Sequence, residues 1–90
     1  MNEEVLNKLK EYAEILKDET ALKIVYYLYK YNPDVLIKEI NAELQISEDD
    51  IKIRIEKLLK NGIIFRNPET DSYTMTPFGR NAFRELVHPQ

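Results

Sequence analysis

The side chains best placed for chemistry lie between residues 47 and 61, and their types suit binding rather than catalysis. Ile51, Ile55 and Leu58 recur at a spacing that puts them on one face of a helix. With that face turned inward, the opposite face carries lysines, carboxylates and Ile53. Its outward residues are Asp49, Asp50, Ile53, Glu56, Lys57 and Lys60, with Lys52 and Arg54 on the flanks. This face is a candidate binding surface.

Catalytic and metal chemistry find no support in the sequence. The chain has no cysteine and one histidine, His88, and it contains neither a nucleophile elbow nor a glycine-rich phosphate loop. Glu48, Asp49 and Asp50 are adjacent, and adjacent helical residues point about 100° apart, so these carboxylates do not converge on one metal ion. They suit the positive end of a helix instead. We predict no enzyme activity, no metal site and no cofactor.

Length and composition restrict the class of protein. Ninety residues suffice for one domain with a modest core. No apolar run approaches the roughly 18 residues of a membrane span, and the acidic start Met-Asn-Glu-Glu is unlike a secretory signal. The lack of cysteine suits a reducing cytoplasm, where we expect this protein. A net charge of −3 counts against a nucleic-acid partner, because phosphate contacts usually leave a basic footprint.

Residues 37–61 have the pattern of two short helices joined by a tight turn. The apolar residues of the first helix recur at three and four positions, as Ile37, Ile40 and Leu44. Ser47 is a good N-cap for the second helix. Asn61-Gly62 ends it, since glycine tolerates the left-handed conformation of a helix stop. These are the features of a helix-turn-helix.

The flanking segments predict three more helices and a hairpin. Residues 3–17 carry an apolar stripe, and residues 19–31, capped by Asp18, are apolar around most of the circumference, which predicts the most buried helix. A turn-forming cluster between β-rich segments predicts a hairpin over residues 63–76, with Val35-Leu36 as a minimal edge strand. A last helix covers residues 77–87. The predicted fold class is mainly α with a small β-hairpin, and its core is centred on Leu22, Val25, Leu28, Ile40, Leu44, Ile55 and Leu58.

The order L-Q-I-S-x-x-x-I-x-x-x-I-x-x-L-x-x-x-G-I-I, over residues 44–64, resembles the helix-turn-helix of the ArsR and MarR winged-helix regulators. Residues 18–25, DETALKIV, resemble the start of the preceding helix in ArsR-type proteins. Residues 73–80, YTMTPFGR, resemble their exit from the wing into a last helix. The resemblance covers about residues 15–87. It implies a single winged helix-turn-helix domain over residues 1–90, with the helix-turn-helix at about 37–61, the wing at about 63–76 and terminal helices 3–17 and 77–87 for dimerisation.

The resemblance also implies a sequence-specific DNA-binding transcriptional regulator. In those families the recognition helix, here about residues 48–61, enters the major groove. Ile53 would then meet thymine methyl groups, and Arg54 or Lys57 would reach guanine. The residues implied to contact double-stranded DNA are Lys38, Ser47, Lys52, Ile53, Arg54, Lys57, Lys60 and Arg66.

Several residues depart from the family pattern. Asp49 and Asp50 would repel phosphates. Glu69 and Asp71 occupy the wing tip, where DNA-binding relatives usually place Arg or Lys. The acidic balance and the exposed Ile53 favour an alternative function, a winged-helix module that binds a protein partner and no DNA.

The first and last predicted helices are amphipathic and lie outside the helix-turn-helix. Packing on the chain's own core and packing on a second subunit both remain open for the first helix; the small core favours the second subunit. We expect the two helices to meet across a two-fold axis, giving a homodimer with recognition helices about 34 Å apart. The predicted interface residues are Leu6, Leu9, Tyr12, Leu16, Phe83, Leu86 and Val87.

Overall fold

The computed structural model describes residues 2–31 and 34–87, and this part of the chain is mainly helical with one small β-hairpin. The helices are α1 (Glu3–Ile15), α2 (Glu19–Lys30), α3 (Ile37–Leu44), α4 (Glu48–Lys60) and α5 (Pro77–Val87), and the strands are β1 (Ile64–Asn67) and β2 (Ser72–Met75). The prediction of a mainly α fold with a small hairpin is confirmed. His88, the single histidine, lies outside the described residues.

Short polar side chains begin four of the helices, because each accepts a backbone N–H that the helix itself leaves without a partner. These caps are Asn2 for α1, Asp18 for α2, Ser47 for α4 and Thr76 for α5. The Ser47 Oγ, for example, accepts the N–H of Asp50 at 3.2 Å. At the start of α3 the Glu39 carboxylate accepts the N–H of Leu36 at 2.8 Å. The helix starts are therefore fixed by local sequence.

The connection between α3 and α4 is a tight turn held by two features. Gln45 has a φ of 56°, a left-handed conformation that ends α3 without a glycine. The Asn41 side chain reaches over the turn, and its Nδ2 donates to the Ile46 carbonyl at 2.7 Å. Both features fix the direction in which α4 leaves α3.

The hairpin is antiparallel, with Ile64 opposite Met75 and Asn67 opposite Ser72. Val35 pairs with Tyr73 through two backbone hydrogen bonds of 2.8 Å, so the predicted minimal edge strand is present as a single bridge. This bridge connects the residue before Leu36 and α3 to β2, which lies between Val35 and β1. The hairpin is thus attached to the α3–α4 unit at the α3 end as well as directly after α4.

One continuous core joins all the helices and the hairpin. Of the seven residues predicted at its centre, five are buried: Val25, Leu28, Ile40, Ile55 and Leu58. Leu44 is half-buried. The prediction for Leu22 was wrong, since its side chain is 37% exposed.

The exposure of Leu22 has a geometric cause. Ala21, Ile24, Val25 and Leu28 form the buried stripe of α2. Leu22 follows Ala21 directly and so points about 100° away from that stripe. Tyr26 and Tyr31 are also more than half exposed, at 54% and 53%. Apolar side chains do lie around most of α2, as expected, but the rest of the protein packs against only one face of the helix.

Two residues predicted at a subunit interface belong to the protomer's own core. Tyr12 is 0% exposed, and its hydroxyl donates to the Gly79 carbonyl at 3.0 Å, so it ties α1 to α5. Burial raises the pKa of the Tyr12 phenol. Phe83 is 2% exposed, and its ring lies 5.1 Å from that of Tyr29. Both side chains are buried within one protomer and cannot contact a second copy of the chain. The prediction that they lie at a subunit interface was therefore wrong at these two positions.

The junction between β1 and α5 is closely packed. The Ile63 carbonyl accepts the N–H of Thr76 at 3.0 Å, and the Thr76 hydroxyl donates to the Gly62 carbonyl at 2.6 Å. Gly79 lies against the same Ile63 carbonyl, where a Cβ atom would overlap the oxygen. Only glycine fits at residue 79 without a shift of the backbone.

Candidate nucleic-acid interface

The outward face of α4 is the most distinctive surface in the described part of the chain. Ile51, Ile55 and Leu58 anchor the helix in the core at 0–3% exposure. Ile53 points the opposite way and is 60% exposed, the highest value among the exposed large apolar side chains. Around it lie the exposed residues Asp49, Lys52, Glu56, Lys57 and Lys60. The helical wheel drawn from sequence therefore places this face correctly.

Charge is distributed unevenly along α4. The first turn carries Glu48, Asp49 and Asp50, and the last turn carries Lys57 and Lys60. This polarity matches the helix dipole, which favours anions at the N-terminus and cations at the C-terminus. An anionic partner is thus attracted to the C-terminal half and repelled at the first turn. Ser47 lies at the repelling end, with its oxygen already occupied as the cap.

The Arg54 guanidinium is engaged within the chain. Its Nε donates to Asp18 Oδ2 at 2.9 Å, and its Nη1 donates to the Asp50 carbonyl at 3.3 Å. Nη1 also lies 3.5 Å from the Asp50 carboxylate, and the side chain is only 25% exposed. From the sequence alone, Asp18 is predicted only to be the cap of α2. Its contact with Arg54 spans 36 residues, so no local sequence pattern signals it.

Because of this ion pair, we expect the ionised Asp18 carboxylate to stabilise the folded state, and we expect this stabilisation to be lost in acid. The hydrogen bond from Arg54 holds the pKa of Asp18 below its ordinary 3.8, so the ionised form is favoured in the folded state. The contribution is present above the unfolded pKa near 3.8 and disappears as the pH falls through the lower folded value. Solvent screening keeps it small, because the Asp18 side chain is 45% exposed.

The measurement is thermal unfolding between about pH 6 and pH 2. Asp18→Asn keeps a good cap residue but has no charge to lose, so its melting temperature should fall less over this range than that of the wild type. Equal falls for the two proteins would contradict the assignment.

Arg66, the other arginine implied to contact DNA, is also paired. Its Nη1 donates to Asp71 Oδ1 at 2.7 Å across the hairpin. Asp71 has a φ of 57° at the end of the hairpin turn, and the neighbouring Glu69 is exposed. At the hairpin tip, an anionic partner would therefore meet Arg66 already paired with Asp71, and the exposed carboxylate of Glu69.

Because both arginines of this surface are paired with carboxylates, its four exposed lysines are the side chains placed to attract an anionic partner. Lys38, Lys52, Lys57 and Lys60 are exposed, and none of them forms an ion pair within residues 2–31 and 34–87. Lys52 borders a cleft between α4, the start of α3 and the hairpin. Lys57 borders the cleft on the other side of α4, together with Glu14 and Asp18. The lysines thus flank Ile53 on both sides of the helix.

No family model, curated protein or solved structure matches this chain. Within the described ranges, no group of three or more His, Cys, Asp or Glu side chains is placed to hold a metal ion. No helix there is long and apolar enough to cross a membrane. The α4 face and the adjoining hairpin are the surface on which a functional proposal rests.

Proposed function

We propose that this chain is a winged-helix transcriptional regulator that binds double-stranded DNA, with α4 as its recognition helix and the β-hairpin as its wing. The observation that carries the proposal is the outward face of α4, where Ile53 is 60% exposed between lysines that form no ion pair with any described residue. The tight α3–α4 turn and the hairpin that follows α4 directly support the same arrangement.

The lysines supply the attraction to phosphates in this proposal. Lys52, Lys57 and Lys60 lie on α4, and Lys38 lies on α3. Arg54 and Arg66 contribute less, since each already pairs with a carboxylate of the chain. Ile53 contacts base edges, with thymine methyl groups as its natural partners.

Two alanine variants separate base contacts from phosphate contacts. Ile53→Ala should reduce the preference for one DNA sequence over another, because it removes an apolar base contact. Lys60→Ala should weaken binding to all sequences alike and lower the salt slope by about 0.9 for the lost phosphate contact.

The readout is the affinity for a selected duplex and for an unrelated duplex, titrated by fluorescence anisotropy. Both residues are exposed, so neither variant should alter the fold. If Ile53→Ala left the ratio of the two affinities unchanged, Ile53 would not be a base-reading residue.

We further propose that the protein acts as a homodimer through α1 and α5. Leu6 and Val87 are 43% and 39% exposed, and Leu9, Leu16 and Leu86 are half-buried. A shallow apolar groove between α1, α2 and α5 is lined by Ala13, Leu16, Leu22, Leu86 and Val87. These residues replace the buried Tyr12 and Phe83 as the interface. The two recognition helices would lie about 34 Å apart, one turn of DNA.

A charge placed at Leu6 should disrupt this dimer. Leu6→Asp is expected to give a monomer at tens of micromolar protein where the wild type is a dimer, because the carboxylate would be desolvated in the interface. Asn7→Asp is the matched control, since it adds the same charge at the next exposed position of α1. Analytical ultracentrifugation measures the mass. A wild-type monomer, or a dimer that tolerates Leu6→Asp, would contradict the proposed interface.

A second candidate function is docking of a protein partner on the same face. It is favoured by Asp49 and Glu56 beside Ile53, which suit a partner with an apolar patch and basic residues. In that case Ile53→Ala abolishes capture of the partner, and the chain shows no affinity for DNA.

A further inference from the structure

Asp18 connects the start of α2 to the side of α4 and performs two tasks at once. Its Oδ1 accepts the N–H of Thr20 at 3.3 Å as the cap of α2. Its Oδ2 accepts the Arg54 Nε at 2.9 Å. The cap holds the carboxylate in place independently of Arg54. The carboxylate is therefore a fixed anion placed beside the outward face of α4.

We infer that Asp18 masks Arg54 in the free protein, so that its carboxylate occupies the position a DNA phosphate would take and lowers the affinity of the α4 face for DNA. This inference rests on the proposed DNA-binding function. Asp18 is an autoinhibitory residue in this account, and Arg54 is a phosphate contact that is held in reserve.

The geometry of the guanidinium supports the masking. A strong contact with a phosphate uses two parallel N–H donors on one edge of the group. The Nε donor is taken by Asp18, and Nη1 is turned toward the Asp50 carbonyl. A phosphate that uses the Nε edge must therefore replace the Asp18 carboxylate, and the exchange of one anion for another gains little.

The position of Arg54 on α4 indicates where its charge would act if it were no longer paired with Asp18. Arg54 and Lys57 are three residues apart on α4, hence neighbours on its surface. Both border the cleft lined by Glu14, Asp18 and Ile53. Without the Asp18 charge, the only carboxylate contact that Arg54 would keep is the longer one with Asp50, at 3.5 Å. Arg54 would then stand beside Lys57, next to the exposed Ile53.

The test compares four proteins: the wild type, Asp18→Asn, Arg54→Gln and the double variant. Asparagine is a good N-cap, so Asp18→Asn keeps the start of α2. Circular dichroism at the assay temperature checks that all four are folded. The probe is a labelled duplex of mixed sequence at about 50 mM salt, with salt titrations for each protein.

Asp18→Asn should bind the duplex about 1.4- to 5-fold more tightly per protomer, the range that an exposed ion pair usually represents. Its salt slope should be steeper by about 0.9 per protomer, because one more phosphate is neutralised. Arg54→Gln should bind no more tightly than the wild type, because it leaves the Asp18 charge beside the α4 face without its partner. In the Arg54→Gln background, Asp18→Asn should gain less than it gains with Arg54, since no guanidinium is released.

Asp49→Asn is the matched control. Asp49 lies in the first turn of α4 and is exposed. Among the described residues, no ion pair or side-chain hydrogen bond joins it to Arg54. Asp49→Asn should raise the affinity for DNA by the same factor in the wild type and in the Arg54→Gln variant. Only the gain from Asp18→Asn should depend on Arg54.

The same measurements separate a failure of the masking inference from a failure of the proposed DNA-binding function. If the wild type binds DNA and Asp18→Asn gives no gain, or gives the same gain without Arg54, the masking is wrong and the proposed function stands. If neither the wild type nor Asp18→Asn binds any duplex, both are wrong.

Discussion

Replacing Leu58 by alanine is expected to lower the free energy of unfolding by about 2–5 kcal/mol. Leu58 is 0% exposed and lies on the inner face of α4, in the core shared with α2 and the hairpin. Truncation removes apolar contacts and leaves a cavity that the surrounding helices cannot close completely. The α4 face depends on this anchor for its position.

Urea denaturation measures the loss, with linear extrapolation to water. Leu59→Ala is the matched control, because Leu59 is the next residue on the same helix and is only half-buried. Its loss should be clearly smaller. Equal losses at the two positions would mean that Leu58 is no more buried than Leu59, which contradicts the orientation of α4.

Gly79→Ala is expected to lower the free energy of unfolding by about 3 kcal/mol, at the upper end of the range for overpacking. The new Cβ would overlap the Ile63 carbonyl oxygen. That carbonyl cannot move freely, since it accepts a hydrogen bond from the backbone N–H of Thr76 at 3.0 Å. The Gly79 carbonyl is itself held by the Tyr12 hydroxyl. The strain outweighs the roughly 1 kcal/mol that alanine gains over glycine in a helix.

Gly62→Asn is the control for this variant. Gly62 has a φ of 69°, and a Cβ there would meet nothing within 4 Å. Asparagine adopts such a conformation more readily than most residues, so a small loss is expected. A stable Gly79→Ala protein, with α5 in the same position, would show that the β1–α5 junction can accommodate a Cβ atom at residue 79.

Local sequence predicts the elements of this fold well. The last helix was expected over residues 77–87, and α5 has these bounds. α4 was expected over residues 48–61 and ends one residue earlier. Both succeed because a capping residue and a helical apolar stripe act over a few neighbouring residues. α1 ends at Ile15 rather than Lys17, where the apolar stripe alone does not specify a stop.

Contacts between distant residues were not predictable in the same way. Periodicity placed Arg54 on the flank of α4, yet it says nothing of Asp18, which the fold brings to 2.9 Å from it. Amphipathicity marked Tyr12 and Phe83 as apolar but does not distinguish the protomer's core from a subunit interface. Leu22 was misassigned for a related reason, since composition does not reveal which side of α2 is covered.

The most direct test of the central claim is the affinity of the wild-type protein for duplex DNA as a function of salt. The proposal predicts binding of mixed-sequence duplex at about 50 mM salt through about five phosphate contacts per dimer. It further predicts a loss of roughly 500-fold in affinity between 50 and 200 mM, from a slope near −0.9 per contact. Absence of binding at 50 mM salt, with a folded and dimeric protein, would contradict the proposed function and favour the protein-docking alternative.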